Sequence, residues 1–434
     1  MTFRPALILI LLLATVDTAR AAACEASVAT IRRGIDTDVV LCGDALPDNI
    51  SLNGLPEAQA EMNYMQTLGQ CAVDDSRPGF HLVLTVNSPA SQVKLSVQNT
   101  LSEERICELS LEVAAPLESP KPGWGNAMRA EAARFIDVKG IRTRYFESGE
   151  GSPLVLVHGG QAGGSNNSAK KWEQNFSGLA EDYRVIALDR LAQAGTENLP
   201  EAADYADYFA RDAEHLEDFL EALQLTNVTL VGHSQGGWPV TRVSLNRPEL
   251  VRCVVNVDTV MVPDEPKLMR EALGFLMYNS RHLHPTNGPT FYSARRGMQL
   301  RYPSGNNITA AKAQRVVDQY KAPATREAAA QMAALRMTPL HPGFRSAKVQ
   351  AYEDIAAGRL KTKSLVVWGA LDPQVPIGLG RRFNAFLTAN GVNSRLIVIG
   401  GAGHAPFVEF PQTFGRILRA GCPPVETGRK TPPH

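Results

Sequence analysis

The chain has 434 residues, long enough for two domains, one of them with a substantial core. It is 44% hydrophobic and 20% charged, the composition of an ordinary soluble protein. Lys+Arg and Asp+Glu both number 44, so no global charge argues for a nucleic-acid partner.

Residues 1–23 read as an export signal. Arg4 supplies the positive end, residues 6–14 an apolar run, and Ala21-Ala22-Ala23 a cleavage site. That run is too short to span a bilayer, so stable membrane insertion is not expected and a secreted or periplasmic location is. Lipidation of Cys24 is the weaker alternative, because Ala21 stands where a bulky aliphatic is usual.

Residues 24–115 carry "DVVLCG", "FHLVLTV", "QVKLSVQ" and "ICELSLEV", short strand-like segments separated by Gly, Pro, Asn and Asp. They predict a small sandwich-like β domain, loosely similar to immunoglobulin-like modules, with no catalytic constellation and a ligand that the sequence does not name. Cys24, Cys42, Cys71 and Cys107 fall in this segment, and Cys253 and Cys422 lie beyond it. An even cysteine count in an exported chain predicts disulfides: two within the β domain, and a third between Cys253 and Cys422. None shows the C-x-x-C spacing of a metal or redox site, and no metal or cofactor is expected.

Residues 116–134 form a linker that includes Pro116, Pro120 and Pro122. From 135 to 421 strands alternate with helical stretches, the pattern of a mostly parallel sheet covered on both faces. The eight strand candidates are "FIDV", "IRTRYFE", "PLVLV", "RVIAL", "VTLVG", "CVVNV", "SLVVW" and "SRLIVI". The last six are nearly all apolar, as strands buried on both faces should be. After the sixth, about 262–345, the alternation is interrupted by "KLMREALGFLMY", "TAAKAQRVVDQYKA" and "REAAAQMAALRM", each with helical spacing. This predicts a helical lid, with nine Arg, three Lys and five acidic residues, a net charge of +7. Residues 422–434 are expected to be a disordered tail.

The chemistry concentrates at strand ends. Gly232-His233-Ser234-Gln235-Gly236 fits G-x-S-x-G, in which a sharp strand-to-helix turn lifts a serine above the sheet. A serine that only capped the next helix would not need the paired glycines. A serine hydroxyl needs a base held by an acid, and the expected order is Ser, acid, His. His404, in a glycine-rich turn after the last strand, is the expected base. His233 is expected to point away from Ser234, and His158 to brace a turn. Asp372, in "ALDPQVP", is preferred as the acid over Asp258, which ends the sixth strand and is expected to brace the lid entrance. The oxyanion donors are expected from the N–H of Gln235 and from Gly160 or Gln161 in "VLVHGGQAGG". In the lid, one or more of Arg295, Arg296, Arg301 and Arg336 is expected to meet a substrate carboxylate, with outward, solvated arginines as the plainer account.

Together these residues resemble the α/β-hydrolase family over about 135–420. "HGGQAGG", "LVGHSQGGW", "ALDPQVPIGLG" and "GAGHAPFVEFPQTF" resemble loops of the meta-cleavage product hydrolases. That resemblance implies a lidded α/β-hydrolase fold, carbon–carbon bond hydrolysis, Ser234, Asp372 and His404 as a triad, and an arginine on the substrate carboxylate. The chain departs from that group at Ala405 and Pro406, where a tryptophan commonly follows the histidine. It departs again at His233, where asparagine often precedes the serine. The expected activity is therefore hydrolysis of a small carboxylic ester, anionic if a lid arginine points inward, with carbon–carbon hydrolysis as the alternative. A non-catalytic receptor or adhesion protein is the alternative of another class.

Overall fold

The computed structural model describes residues 127–263, 288–335 and 341–425, together with eight strands before residue 115. The chain divides into two compact units, Met1–Ala115 and Pro116–His434. In the first unit the strands form two four-stranded sheets. One is built on Thr37–Cys42, Gly79–Val86 and Ala60–Leu68, with Glu25–Ala26 at its edge. The other is built on Arg105–Ala114, Gln92–Asn99 and Ile50–Asn53, with Thr30–Arg32 at its edge. Val97 and Cys107 pair across the second sheet, and both are buried. Cys24 and Cys71 and the side chain of Cys42 lie outside the described residues, so the expected pairing within this unit does too.

The second unit is an α/β-hydrolase fold, with a mostly parallel sheet of eight strands. They are β1 (Arg134–Val138), β2 (Ile141–Ser148), β3 (Pro153–Val157), β4 (Arg184–Leu188), β5 (Val228–His233), β6 (Val251–Val257), β7 (Lys363–Gly369) and β8 (Ser394–Ile399). Their order across the sheet is β8-β7-β6-β5-β3-β4-β2-β1. Only β1 and β2 run antiparallel to their neighbours, at one edge. The central strands are apolar and buried at most positions because both faces are covered. Alternate residues of β3 show this. Leu154 and Leu156 pack with Trp172, Phe176 and Leu179 around α1 (Glu173–Leu179). Val155 faces the other way, toward Phe219 of α2 (Tyr208–Ala222) and Val240 of α3 (Gly237–Asn246).

Between β6 and β7 the described residues form four helices: α4 (Phe291–Arg301), α5 (Ala310–Lys321), α6 (Pro323–Ala334) and α7 (Pro342–Ala356). Thr290 and Thr309 cap the first two, each accepting a backbone N–H with its hydroxyl. The helical run continues to Ala356, beyond the expected lid end at 345, and "KLMREALGFLMY" lies outside the described residues. After β7 come α8 (Ile377–Ala389), a short α9 (Pro406–Glu409) and α10 (Pro411–Gly421).

The tail expectation is corrected for its first residues. The Cys422 carbonyl accepts from Tyr183 Oη and Arg252 Nη2, and the Val425 N–H donates to Ser152 Oγ at 2.7 Å. The sulfurs of Cys253, on β6, and Cys422 stand at bonding distance, with Cα atoms 6.1 Å apart. Among the described residues no helix is long and apolar enough to cross a membrane.

Candidate active site

Three loops at the C-terminal ends of β5, β7 and β8 converge above the sheet, the usual place for chemistry in a parallel α/β sheet. Ser234 follows β5 with φ of +52°, in the left-handed region that a residue with a Cβ seldom adopts. Glycines make that turn possible. A Cβ on Gly232 would lie 2.4 Å from the Gly236 carbonyl oxygen, and one on Gly236 2.5 Å from that of His158. Only hydrogen fits at either position, so the paired glycines serve close backbone approach.

His404 sits in the turn after β8, with its N–H donating to the Arg301 carbonyl at 2.9 Å. Its Nε2 is 3.0 Å from Ser234 Oγ and its Nδ1 is 2.8 Å from Asp372 Oδ2. Because a carboxylate faces Nδ1, that nitrogen carries the proton, and Nε2 is left to accept from the serine hydroxyl. The Asp372 side chain is fully buried. Pro373 has no N–H, and the next two backbone donors, of Gln374 and Val375, reach Asp372 Oδ1 at 2.8 and 3.0 Å. This leaves Oδ2 for the imidazole.

Asp258 requires a correction. It does not brace the lid entrance; it is completely buried behind Asp372. The Gly369 N–H donates to its Oδ1 at 2.9 Å, while Oδ2 meets no donor among the described residues. Burial, and next the charge of Asp372, push its carboxyl well above the usual carboxylate range. Burial and the neighbouring Asp372 thus both favour the protonated form of Asp258. A third carboxyl, Glu409 in α9, ties the histidine turn to the lid. It accepts from the Gly403 N–H at 2.6 Å, and from Ser304 N–H and Oγ at 3.0 and 2.6 Å. Burial pushes it up to about 7.

His233 turns from the serine toward the histidine loop, and its Nε2–H donates to the His404 carbonyl at 2.7 Å. Burial, then the neighbouring His404, holds it well below the usual imidazole range, so it is neutral. His158 accepts the Arg190 N–H at its Nε2, 3.1 Å away.

The glycine-rich loop after β3 lies against the nucleophile. A Cβ on Gly159 would stand 2.7 Å from that of Ser234, and Gly160 and Gln161 follow directly in the chain. Arg190 anchors this loop. Its Nη1 donates to the carbonyls of His158 and Gly160 at 3.2 and 2.5 Å, and it forms a buried ion pair with Asp212 of α2. Arg190 and Glu409 were not singled out in the sequence; the only local signals are their places just beyond β4 and five residues after His404.

The lid arginines divide. Arg296 is exposed and bonded to Gln299, as the plainer account of an outward arginine has it. Arg295 is fully buried and donates to the Ile308 carbonyl at 3.2 Å. Arg301 is buried, with Nε on the Gly297 carbonyl of its own helix and Nη2 without a partner. Arg336 lies outside the described residues. No group of three or more His, Cys, Asp or Glu placed to hold a metal occurs among the described residues.

Comparison with known proteins agrees with this geometry. A family model described as alpha/beta hydrolase fold matches residues 152–411. A 2-hydroxy-6-oxo-6-(2'-aminophenyl)hexa-2,4-dienoic acid hydrolase of Metapseudomonas resinovorans is 38% identical over 127 residues, 29% of this chain and 42% of that protein. A bifunctional epoxide hydrolase 2 of Mus musculus is 30% identical over 176 residues, 40% of this chain and 30% of that protein. The match thus spans less than half the length of either relative. Among solved structures, a meta-cleavage product hydrolase from Pseudomonas fluorescens IP01 superposes with a TM-score of 0.53 at 22% identity, covering 67% of this chain and 97% of the other. At that identity the likeness speaks for the fold alone.

Proposed function

Because this chain belongs to the α/β-hydrolase family and is an enzyme of that kind, we propose that it is an exported serine hydrolase that cleaves a small carboxylic ester. The observation that carries the reading is the continuous relay from Ser234 through His404 to Asp372, at 3.0 and 2.8 Å. His404 Nε2 takes the hydroxyl proton as Oγ adds to the ester carbonyl, and Asp372 holds the imidazole in the required tautomer and balances the imidazolium. The oxyanion is received by the N–H of Gln235 and by one from Gly160 or Gln161, in the loop that Arg190 fixes. The imidazolium then protonates the leaving alcohol, and the acyl-enzyme on Ser234 is hydrolysed by the same steps with water as nucleophile.

A second reading is favoured by one observation: the relative from Metapseudomonas resinovorans, 38% identical over its matched segment, is named as a hydrolase of a hexa-2,4-dienoic acid. This chain would then cleave a carbon–carbon bond with the same three residues. The epoxide hydrolase reading is weaker, because those relatives use an aspartate as nucleophile where Ser234 stands. The deciding experiment sets 4-nitrophenyl esters of varied chain length beside a vinylogous diketone, with Ser234→Ala as control. Ester turnover that vanishes in the variant supports the proposal. Turnover of the diketone alone transfers it to the second reading. Failure of an active-serine phosphonate to react at all would point to a non-catalytic protein.

A further inference from the structure

Beside the histidine turn, a cavity opens between the segment 165–172 and the helices α4 and α5. Its wall is continuous with the site: Tyr302 follows Arg301, whose carbonyl holds the His404 N–H, and Val408 lies one turn beyond His404. Four cationic side chains line it, Lys170, Lys171, Lys312 and Arg315. One carboxylate answers them. Glu173 lies 2.8 Å from Arg315 and 3.5 Å from Lys312, whose ammonium also donates to the Asn307 carbonyl at 2.8 Å.

The ammonium groups of Lys170 and Lys171 have no hydrogen bond or ion pair among the described residues, although burial opposes the charge on each. Both lysines therefore line one small space in which no protein acceptor meets their ammonium groups. Burial, then the charges of Arg301 and Arg190, push Lys171 down to about 7. An anion in the cavity would offset those charges and push it back up.

We propose that this cavity is an anion site for a doubly charged group, a phosphate monoester or a vicinal dicarboxylate, held by Lys170 and Lys171, with Lys312 and Arg315 behind them. Two lysines left over after Glu173 has served its partners suit a dianion better than a single carboxylate. The group has two sources: the hydrolysed molecule itself, or a separate small anion. Binding does not rest on which bond Ser234 breaks.

The test is calorimetric titration of the full-length Ser234→Ala protein with inorganic phosphate and with succinate. Saturable binding is expected, weakened by about tenfold or more in Lys171→Gln and in Lys170→Gln, and restored to within about threefold by Lys171→Arg. Arg395→Gln removes an equal charge from an exposed strand position and should leave binding unchanged. Using two separate lysine variants, each checked by thermal melting, keeps a folding defect in one from obscuring the result. In the active protein, phosphate that raises KM for an ester identifies the anion as part of the substrate; phosphate that changes kcat alone identifies a separate ligand. Either result supports the site. Absence of saturation up to about 50 mM, or equal weakening by Arg395→Gln, overturns it. A protein without turnover would defeat the hydrolase reading and leave this titration intact.

Discussion

Asp258 and Asp372 place two carboxyl groups behind one imidazole, in a space too dry for both to be anions. Asp372 takes the backbone donors and His404, so the proton falls to Asp258. An asparagine at 258 would copy that protonated form, accepting from Gly369 and donating toward Asp372. Asp258→Asn should keep kcat/KM within about fivefold, whereas Asp372→Asn should lose about four orders of magnitude through the wrong imidazole tautomer. The reverse ranking in steady-state kinetics would show that the acid had been misassigned. Asp258 and Glu409 together have a consequence for stability. A carboxyl whose folded value is raised contributes stability that is fully present below its ordinary range and lost as pH rises through the folded value. For Glu409 that window runs from the ordinary glutamate range up to about 7, and Asp258 adds to the loss in the same direction. Thermal melts should therefore show wild-type stability falling from about pH 5 to pH 8, and falling less in Asp258→Asn. A flat wild-type profile would contradict the upward shift of both acids.

At the scale of elements, the loop after β3 is only as fixed as the arginine beneath it. Arg190 binds that loop's carbonyls with one edge of its guanidinium and pairs with Asp212 through the other. Arg190→Met leaves the Asp212 carboxylate buried without its partner, which typically costs about 3–5 kcal/mol. It also frees the Gly160 segment that is to receive the oxyanion. Urea unfolding should register the loss, and kcat should fall in the protein that remains folded; an unchanged kcat would separate this clamp from catalysis. These elements differ in how far they could be read from sequence. The central strands are continuous apolar runs because the sheet is covered twice, and Ser234, Asp372 and His404 sit in short motifs at strand ends. Arg190, Asp258 and Glu409 belong to no motif. Their roles come from contacts across the fold, such as Asp258 with Gly369 and Glu409 with Ser304, which local spacing does not encode.

At the scale of the molecule, the export proposed above would suit a bond between Cys253 and Cys422. Cys253 is the third residue of β6 and Cys422 directly follows α10, and the fold brings their sulfurs to bonding distance across 169 residues of chain. A bond there would tie α10 to the sheet. Cys422→Ser should then lower the stability of the exported protein by about 2–4 kcal/mol, and a non-reduced peptide map should contain the linked pair. Free thiols at both positions in exported material would contradict this. The account as a whole depends most on one atom, Ser234 Oγ, strained into place by its backbone and aligned by His404. The most direct test mixes the protein with a 4-nitrophenyl ester, quenches it in acid during turnover and maps the acyl mass by peptide sequencing. The acyl group should be found on Ser234 in the wild type and should be absent in Ser234→Ala and His404→Ala. Turnover without any adduct on Ser234, or an adduct on another residue, would contradict the account.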